Sequence, residues 1–164
     1  MTLQHHLSTN RAQPNHVDTG EGRSGDPTAN NLPRRRTILL VEDEPFVREA
    51  TRGILENAGF EVLPAFDVQD AIKVYDEHHR SLDLVMTDMV LPGGTGQQLG
   101  HDLQQRSPEL VVLITSGYGN PDFETEAPES KTYFIAKPYT RRTLVDKIEK
   151  ILGARPLTRA TQAG

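Results

Sequence analysis

The chain has 164 residues, no cysteine and a formal net charge of −5. Disulfide and thiolate chemistry are therefore excluded, and a mildly acidic chain is a poor match for a nucleic-acid binder, whose affinity comes mainly from neutralising phosphates. With 35% hydrophobic and 25% charged residues, the composition allows one domain of ordinary size plus polar tails. No apolar run approaches the roughly 20 residues that cross a bilayer. Residues 1–6 lack the basic and apolar regions of a secretory signal, so the cytoplasm is the expected compartment and no membrane insertion is expected.

Residues 1–36 are polar, rich in Asn, Thr, Gly, Pro and Ser, and show no apolar period. They read as a disordered N-terminal tail. Its last residues, Arg34-Arg35-Arg36, read as a solvated flank rather than an anionic docking patch. Ile38-Leu39-Leu40-Val41 is a continuous apolar run of strand length, the mark of a parallel strand covered on both faces. It ends in Glu42-Asp43-Glu44. Pro45 suits the first turn of a helix carrying Val47, Ala50, Thr51, Ile54, Leu55 and Ala58, with Gly59 to close it.

A second strand, residues 60–65, contains Pro64 and should lie at a sheet edge. Asp67 can cap a helix containing Ala71, Ile72, Val74 and Tyr75. A third strand, Leu82-Asp83-Leu84-Val85-Met86, leads to Asp88. Pro92, Gly93, Gly94 and Gly96 then predict a flexible loop that neither continues a strand nor starts a helix cleanly. Leu99 and Leu103 mark a weakly amphipathic helix stopped by Ser107-Pro108. A fourth strand, residues 110–114, ends in Thr115-Ser116-Gly117. The segment 118–132 carries Pro121 and Pro128 among acidic residues, and admits at most a short helix around 122–127. A fifth strand, residues 133–136, is followed by Lys137-Pro138. Thr140 can cap a last helix bearing Leu144, Val145, Ile148, Ile151 and Leu152, closed by Gly153. Residues 154–164 read as a frayed C-terminal tail.

The pattern is (βα)5 with a short or irregular fourth helix. It predicts an α/β fold: a doubly wound, parallel five-stranded sheet of flavodoxin-like order 2-1-3-4-5, spanning residues 37–153. In such sheets ligands bind at the carboxyl ends of the strands. Four of the five strands end there in a polar group: Glu42 and Asp43, Asp88, Thr115 and Ser116, and Lys137. Carboxylates brought together repel unless a cation joins them. Oxygen ligands without Cys or paired His point to Mg2+. A hydroxyl and a lysine opposite suit the oxygens of a phosphoryl group. The chemistry implied is phosphoryl transfer onto a carboxylate, with Asp88 as the nucleophile. The six histidines, His5, His6, His16, His78, His79 and His101, show no metal spacing.

Val41-Glu42-Asp43-Glu44, Asp88 with Pro92 and Gly96, Thr115-Ser116 and Lys137-Pro138, in that order, resemble the receiver domain of bacterial two-component response regulators. The resemblance covers about residues 37–152. It implies that Asp88 is the phosphoacceptor, taking its phosphoryl group from a sensor histidine kinase or a histidine phosphotransfer protein. It implies that Glu42, Asp43, Asp88 and the Val90 backbone carbonyl hold Mg2+, and that Thr115 and Lys137 bind the phosphoryl group. Thr115 and Phe134 would be the switch pair, and the bond before Pro138 would be cis. Signalling would run by contact with a downstream protein target or by phosphorelay.

Glu42 stands where Asp is more common in this family. The positions that tune hydrolysis are Val90 and Gly117, neither with a side chain able to hydrogen-bond water, so slow self-dephosphorylation is expected. The segment after Leu152 is short for an output domain, and a single-domain regulator is expected rather than a turnover enzyme. An Asp-nucleophile phosphatase of the haloacid-dehalogenase type usually carries a second Asp at the position held here by Val90. A receiver-like interaction module that is never phosphorylated has no need of Asp88, Thr115 and Lys137 together. A flavodoxin-like FMN binder needs an early Ser/Thr-rich phosphate loop, where this chain is acidic.

Overall fold

The structure, a computed structural model, describes residues 34–117 and 130–153. The expected tails over 1–33 and 154–164, and the expected irregular helix within 118–129, lie outside the described residues. Five strands form one parallel sheet: β1 (Thr37–Val41), β2 (Glu61–Ala65), β3 (Leu82–Asp88), β6 (Val111–Ser116) and β7 (Thr132–Ala136). Their order is β2-β1-β3-β6-β7, the predicted doubly wound arrangement. Among the described residues four helices flank it: α1 (Pro45–Asn57), α2 (Val68–His78), α3 (Gly96–Arg106) and α4 (Arg141–Leu152). None is long and apolar enough to cross a membrane.

The alternation along β1 splits the core into two layers, because successive side chains of a strand point to opposite faces. Ile38 and Leu40 pack with Leu55 of α1 and with Leu144 and Ile148 of α4. Leu39 and Val41 pack with Ala71 and Tyr75 of α2 and with Leu99 and Leu103 of α3. All five residues of β1 are buried, as a run without polar alternation requires. β2 is the edge strand, and Pro64, which has no N–H to give, lies opposite Leu40 of its one neighbour. Helix starts follow the predicted caps. Asp67 Oδ1 accepts from the Asp70 N–H at 2.7 Å, and Thr140 Oγ1 from the Thr143 N–H at 3.1 Å.

Two expectations are corrected. The stretch after Asp88 is not a loose loop. Val90–Leu91 (β4) and Gly94–Thr95 (β5) pair as an antiparallel ribbon, and Gly93 takes the positive φ of +86° that a Pro-Gly turn needs. Thr95 then caps α3, its Oγ1 accepting from the Gln98 N–H at 3.1 Å, so the helix starts cleanly at Gly96. The Arg34-Arg35-Arg36 flank is also not simply solvated. Arg34 grips the Asp83 carboxylate with both terminal nitrogens at 3.0 Å, and Arg36 adds a bond at 2.9 Å. The Thr37 N–H donates to the same carboxylate at 2.8 Å. Asp83 has a side chain only 6% exposed, so its charge needs this many donors. The clasp sets where β1 enters the sheet beside β3.

Gly96 is where the fold is tightest. A Cβ there would lie 2.1 Å from the Asp88 carbonyl oxygen and 2.8 Å from the Thr87 side chain. The Gly96 N–H instead donates to the Met89 carbonyl at 3.0 Å, folding the ribbon back under Asp88. Gly100 meets only a side chain, Val112 Cγ1 at 2.7 Å, and Gly53 faces open space. These contacts predict a ranking in urea unfolding. Gly96→Ala loses the most, about 3 kcal/mol, because backbone cannot yield. Gly100→Ala loses about 1–2 kcal/mol as Val112 shifts. Gly53→Ala, in an open helix interior, gains about 0.5–1 kcal/mol. Equal effects at Gly96 and Gly100 would contradict the close backbone approach.

Candidate functional site

Three strand ends and one loop bring the polar groups together. Glu42 follows β1, and its N–H is held by the Ala65 carbonyl at 3.1 Å. Its side chain is 6% exposed. Asp43 follows, exposed. Arg48, one turn into α1, donates to the carbonyls of Glu42 at 2.8 Å and Asp43 at 3.3 Å, which fixes the acidic turn. Asp88 ends β3, half-buried. Carboxylate oxygens of Glu42, Asp43 and Asp88 lie within 4.8 Å of one another.

Lys137 reaches this cluster from the end of β7. Its N–H donates to the Ser116 carbonyl at 2.7 Å, and the bond to Pro138 is cis. Its ammonium bridges two of the acids, 2.8 Å from Glu42 Oε2 and 2.9 Å from Asp88 Oδ2. The other Asp88 oxygen, Oδ1, accepts from the Met89 N–H at 2.6 Å. Both oxygens of Asp88 therefore have a donor, and the carboxylate has a fixed orientation.

Thr115 lies beside Asp88 in the β3–β6 register and is buried. Its hydroxyl donates to the Thr87 carbonyl at 3.4 Å. Phe134, on β7, is half-buried and lies opposite Ile114, one register step from Thr115. It lines a groove of about 510 Å³ with Arg142, Lys147 and Lys150 of α4. Val90 stands in the ribbon, 73% exposed. The structure thus gathers Glu42, Asp43, Asp88 and Lys137 into one contact cluster. Thr115 is its neighbour on the next strand, and Phe134 is set on the far side of that strand.

Two contributors were not legible in the sequence. The Met89 N–H has no side-chain signal at all. Tyr139, two residues past Lys137, places its phenol 3.3 Å from the Thr51 hydroxyl of α1. A tyrosine in a loop gives no warning of such a contact.

The electrostatics follow from this crowding. Burial disfavours the Lys137 ammonium, but its hydrogen bonds to Glu42 and Asp88 outweigh burial and raise its pKa above the ordinary lysine value. Burial, foremost, raises the Tyr139 phenol. The donor set is all oxygen, with three carboxylates, and suits a hard divalent cation such as Mg2+.

Both raised values act in one direction on stability. A group whose folded pKa exceeds its unfolded value stabilises fully below the unfolded pKa, and that contribution is lost as pH rises through the folded one. Urea unfolding should therefore show stability falling above about pH 10. The fall should be shallower in Lys137→Met and in Tyr139→Phe. A wild-type profile that is flat up to denaturation of the variants would contradict the ion-pair geometry.

The family described as response regulator receiver domain matches residues 38–149. The sensor kinase CckA of Brucella abortus (strain 2308) is 30% identical over 125 residues, 76% of this chain and 13% of that protein. The phosphate regulon transcriptional regulatory protein PhoB of Pseudomonas aeruginosa is 32% identical over 120 residues, 71% of this chain and 52% of that protein. The chain thus spans about half or less of the length of these curated relatives. Among solved structures, a response regulator receiver domain protein from Clostridium thermocellum superposes with a TM-score of 0.65 at 27% identity, covering 71% of this chain and 94% of that one. The receiver domain of the hybrid histidine kinase CckA gives 0.61 at 29% identity, covering 71% and 98%. Over residues 38–149, with the expected sheet order and the acids and lysine at its carboxyl edge, the chain belongs to the response regulator receiver domain family.

Proposed function

We propose that the chain is a phosphorylation-dependent signalling switch whose phosphoacceptor is Asp88. The observation that carries this reading is the Lys137 ammonium bridging Asp88 Oδ2 and Glu42 Oε2 at the carboxyl edge of the sheet. The donor is the phosphohistidine of a sensor histidine kinase or of a phosphotransfer protein. An Asp88 carboxylate oxygen attacks phosphorus, the phosphorus–nitrogen bond breaks, and the imidazole leaves with its electron pair. The product is an acyl phosphate on Asp88. The Met89 N–H, on Oδ1, orients the carboxylate for that attack.

Glu42, Asp43, Asp88 and the Val90 carbonyl hold Mg2+ in this reading. What a bound Mg2+ supplies is neutralisation of the charge that carboxylates and phosphoryl oxygens bring together. Lys137 pairs with one phosphoryl oxygen. Thr115 binds another, and to do so its hydroxyl must turn away from the Thr87 carbonyl, where it now donates. Phe134, one register step away on β7, is the second member of the switch in this reading. The output is contact with a downstream protein or onward relay of the phosphoryl group, as in a signalling module rather than a turnover enzyme.

The test is incubation with Mg2+ and acetyl phosphate, followed by intact mass. Wild type should gain one phosphoryl group, lost with hydroxylamine, and Asp88→Asn should gain none. An unmodified wild type would favour a receiver-like interaction module instead. The lifetime of the acyl phosphate is a separate prediction. Val90 and Gly117 offer no side-chain hydrogen bond to an attacking water, so decay should take many minutes. Decay within seconds would contradict their role.

A further inference from the structure

At the amino edge of the sheet β3 runs past its neighbour. It begins at Leu82, whereas β6 begins at Val111, which lies opposite Leu84. Leu82 and Asp83 therefore have no β6 partner beside them, and a notch opens there. The notch is a cavity of about 390 Å³ at the ends of α2, α3 and α4. Leu82, Leu110, Ile151 and Leu152 give it an apolar lining, and Arg36 and Arg80 stand in its polar wall. It lies at the other end of β3 from Asp88, about 20 Å away along the strand.

Buried polar groups need partners, so the hydrogen bonds around the notch show what it lacks. The acceptors are occupied. Each Asp83 oxygen takes two bonds, from Arg34, Arg36 and the Thr37 N–H. The Ser81 carbonyl accepts from Arg34 at 3.1 Å, and the Leu152 carbonyl from Arg36 at 3.3 Å. The Ser107 carbonyl accepts from the Leu110 N–H at 3.0 Å. Glu109 is paired with Lys131. The donors are different. Arg36 Nε is buried and has no acceptor. Arg80 has neither an ion pair nor a hydrogen bond among the described residues. An apolar lining thus stands beside free donors and an unpaired positive charge.

We propose that this notch is a binding site for a small organic anion, with a carboxylate or phosphate head on a short apolar body. The Arg80 guanidinium takes the head, since its fork of N–H donors fits either group. Arg36 Nε adds a second free donor to the same wall. The body lies on Leu82, Leu110 and Leu152. A volume at the low end of the range for ligand pockets restricts the occupant to a small molecule. The site stands apart from the acids and Lys137, and from the function proposed for them.

The experiment is a nitrogen-15 NMR titration of the full chain with octanoate and with hexyl phosphate, one probe for each head. Acetate, inorganic phosphate and octanamide are the controls, the first two without an apolar body and the third without charge. Octanoate, hexyl phosphate or both should shift the Leu82, Val111 and Leu152 amides, with a dissociation constant of about 1 mM or below, as a ligand of about ten heavy atoms can reach. The head that binds tells a carboxylate source from a phosphate one. Arg80→Gln, which removes no contact of the fold, should weaken binding about tenfold. The absence of any saturable shift at those amides up to about 10 mM would overturn the proposal. So would octanamide, acetate or inorganic phosphate binding as well as the two probes, or Arg80→Gln binding them as well as wild type.

Discussion

The carboxylates of Glu42, Asp43 and Asp88 lie within 4.8 Å of one another, an arrangement that repels itself unless positive charge is supplied. Lys137 supplies it from the end of β7, bonded to Glu42 and Asp88 at once. The constraint on the chain is therefore geometric. A parallel sheet must deliver the ends of β1, β3 and β7 to one edge, because only there can acids from two strands and a lysine from a third converge. Strand order, crossover helices and the two-layer core all serve that placement.

The approach is finished by backbone rather than by side chains. The Met89 N–H orients Asp88, the Ser116 carbonyl anchors Lys137, and the Ala65 carbonyl anchors Glu42. Gly96 lets the β4–β5 ribbon pass directly beneath Asp88, where any Cβ would strike its carbonyl. At the opposite edge, Asp83 gathers Arg34, Arg36 and the Thr37 N–H, so β1 and β3 are tied at both ends. These backbone contacts hold the acids and the lysine in place before any ligand arrives, and the Thr115 hydroxyl, now on the Thr87 carbonyl, is the group that has to turn.

Much of this was legible in the sequence because it is local. The five strands are apolar runs cut off by Gly, Pro or charge, and the caps Asp67 and Thr140 sit one residue before their helices. That Glu42, Asp43, Asp88 and Lys137 would meet was legible for a related reason, since each lies at the end of a strand and doubly wound sheets put those ends together. What was not legible is pairing at long range. Nothing near Arg34 or Arg36 names Asp83, and nothing near Glu42 names Lys137, 95 residues away. The β4–β5 ribbon was hidden because two-residue strands built from Val90, Leu91, Gly94 and Thr95 carry no alternation to read. Tyr139 and Thr51 meet through the tertiary fold alone.

We propose above all that Asp88, with the acids and lysine around it, receives the phosphoryl group. Addition of beryllofluoride with Mg2+ to nitrogen-15-labelled protein tests it most directly, since that anion mimics an acyl phosphate without any donor protein. Large amide shifts are expected at Met89, Thr115, Phe134 and Lys137 in wild type, and none in Asp88→Asn. Shifts that persist in Asp88→Asn, or a wild-type spectrum that beryllofluoride leaves unchanged, would contradict it.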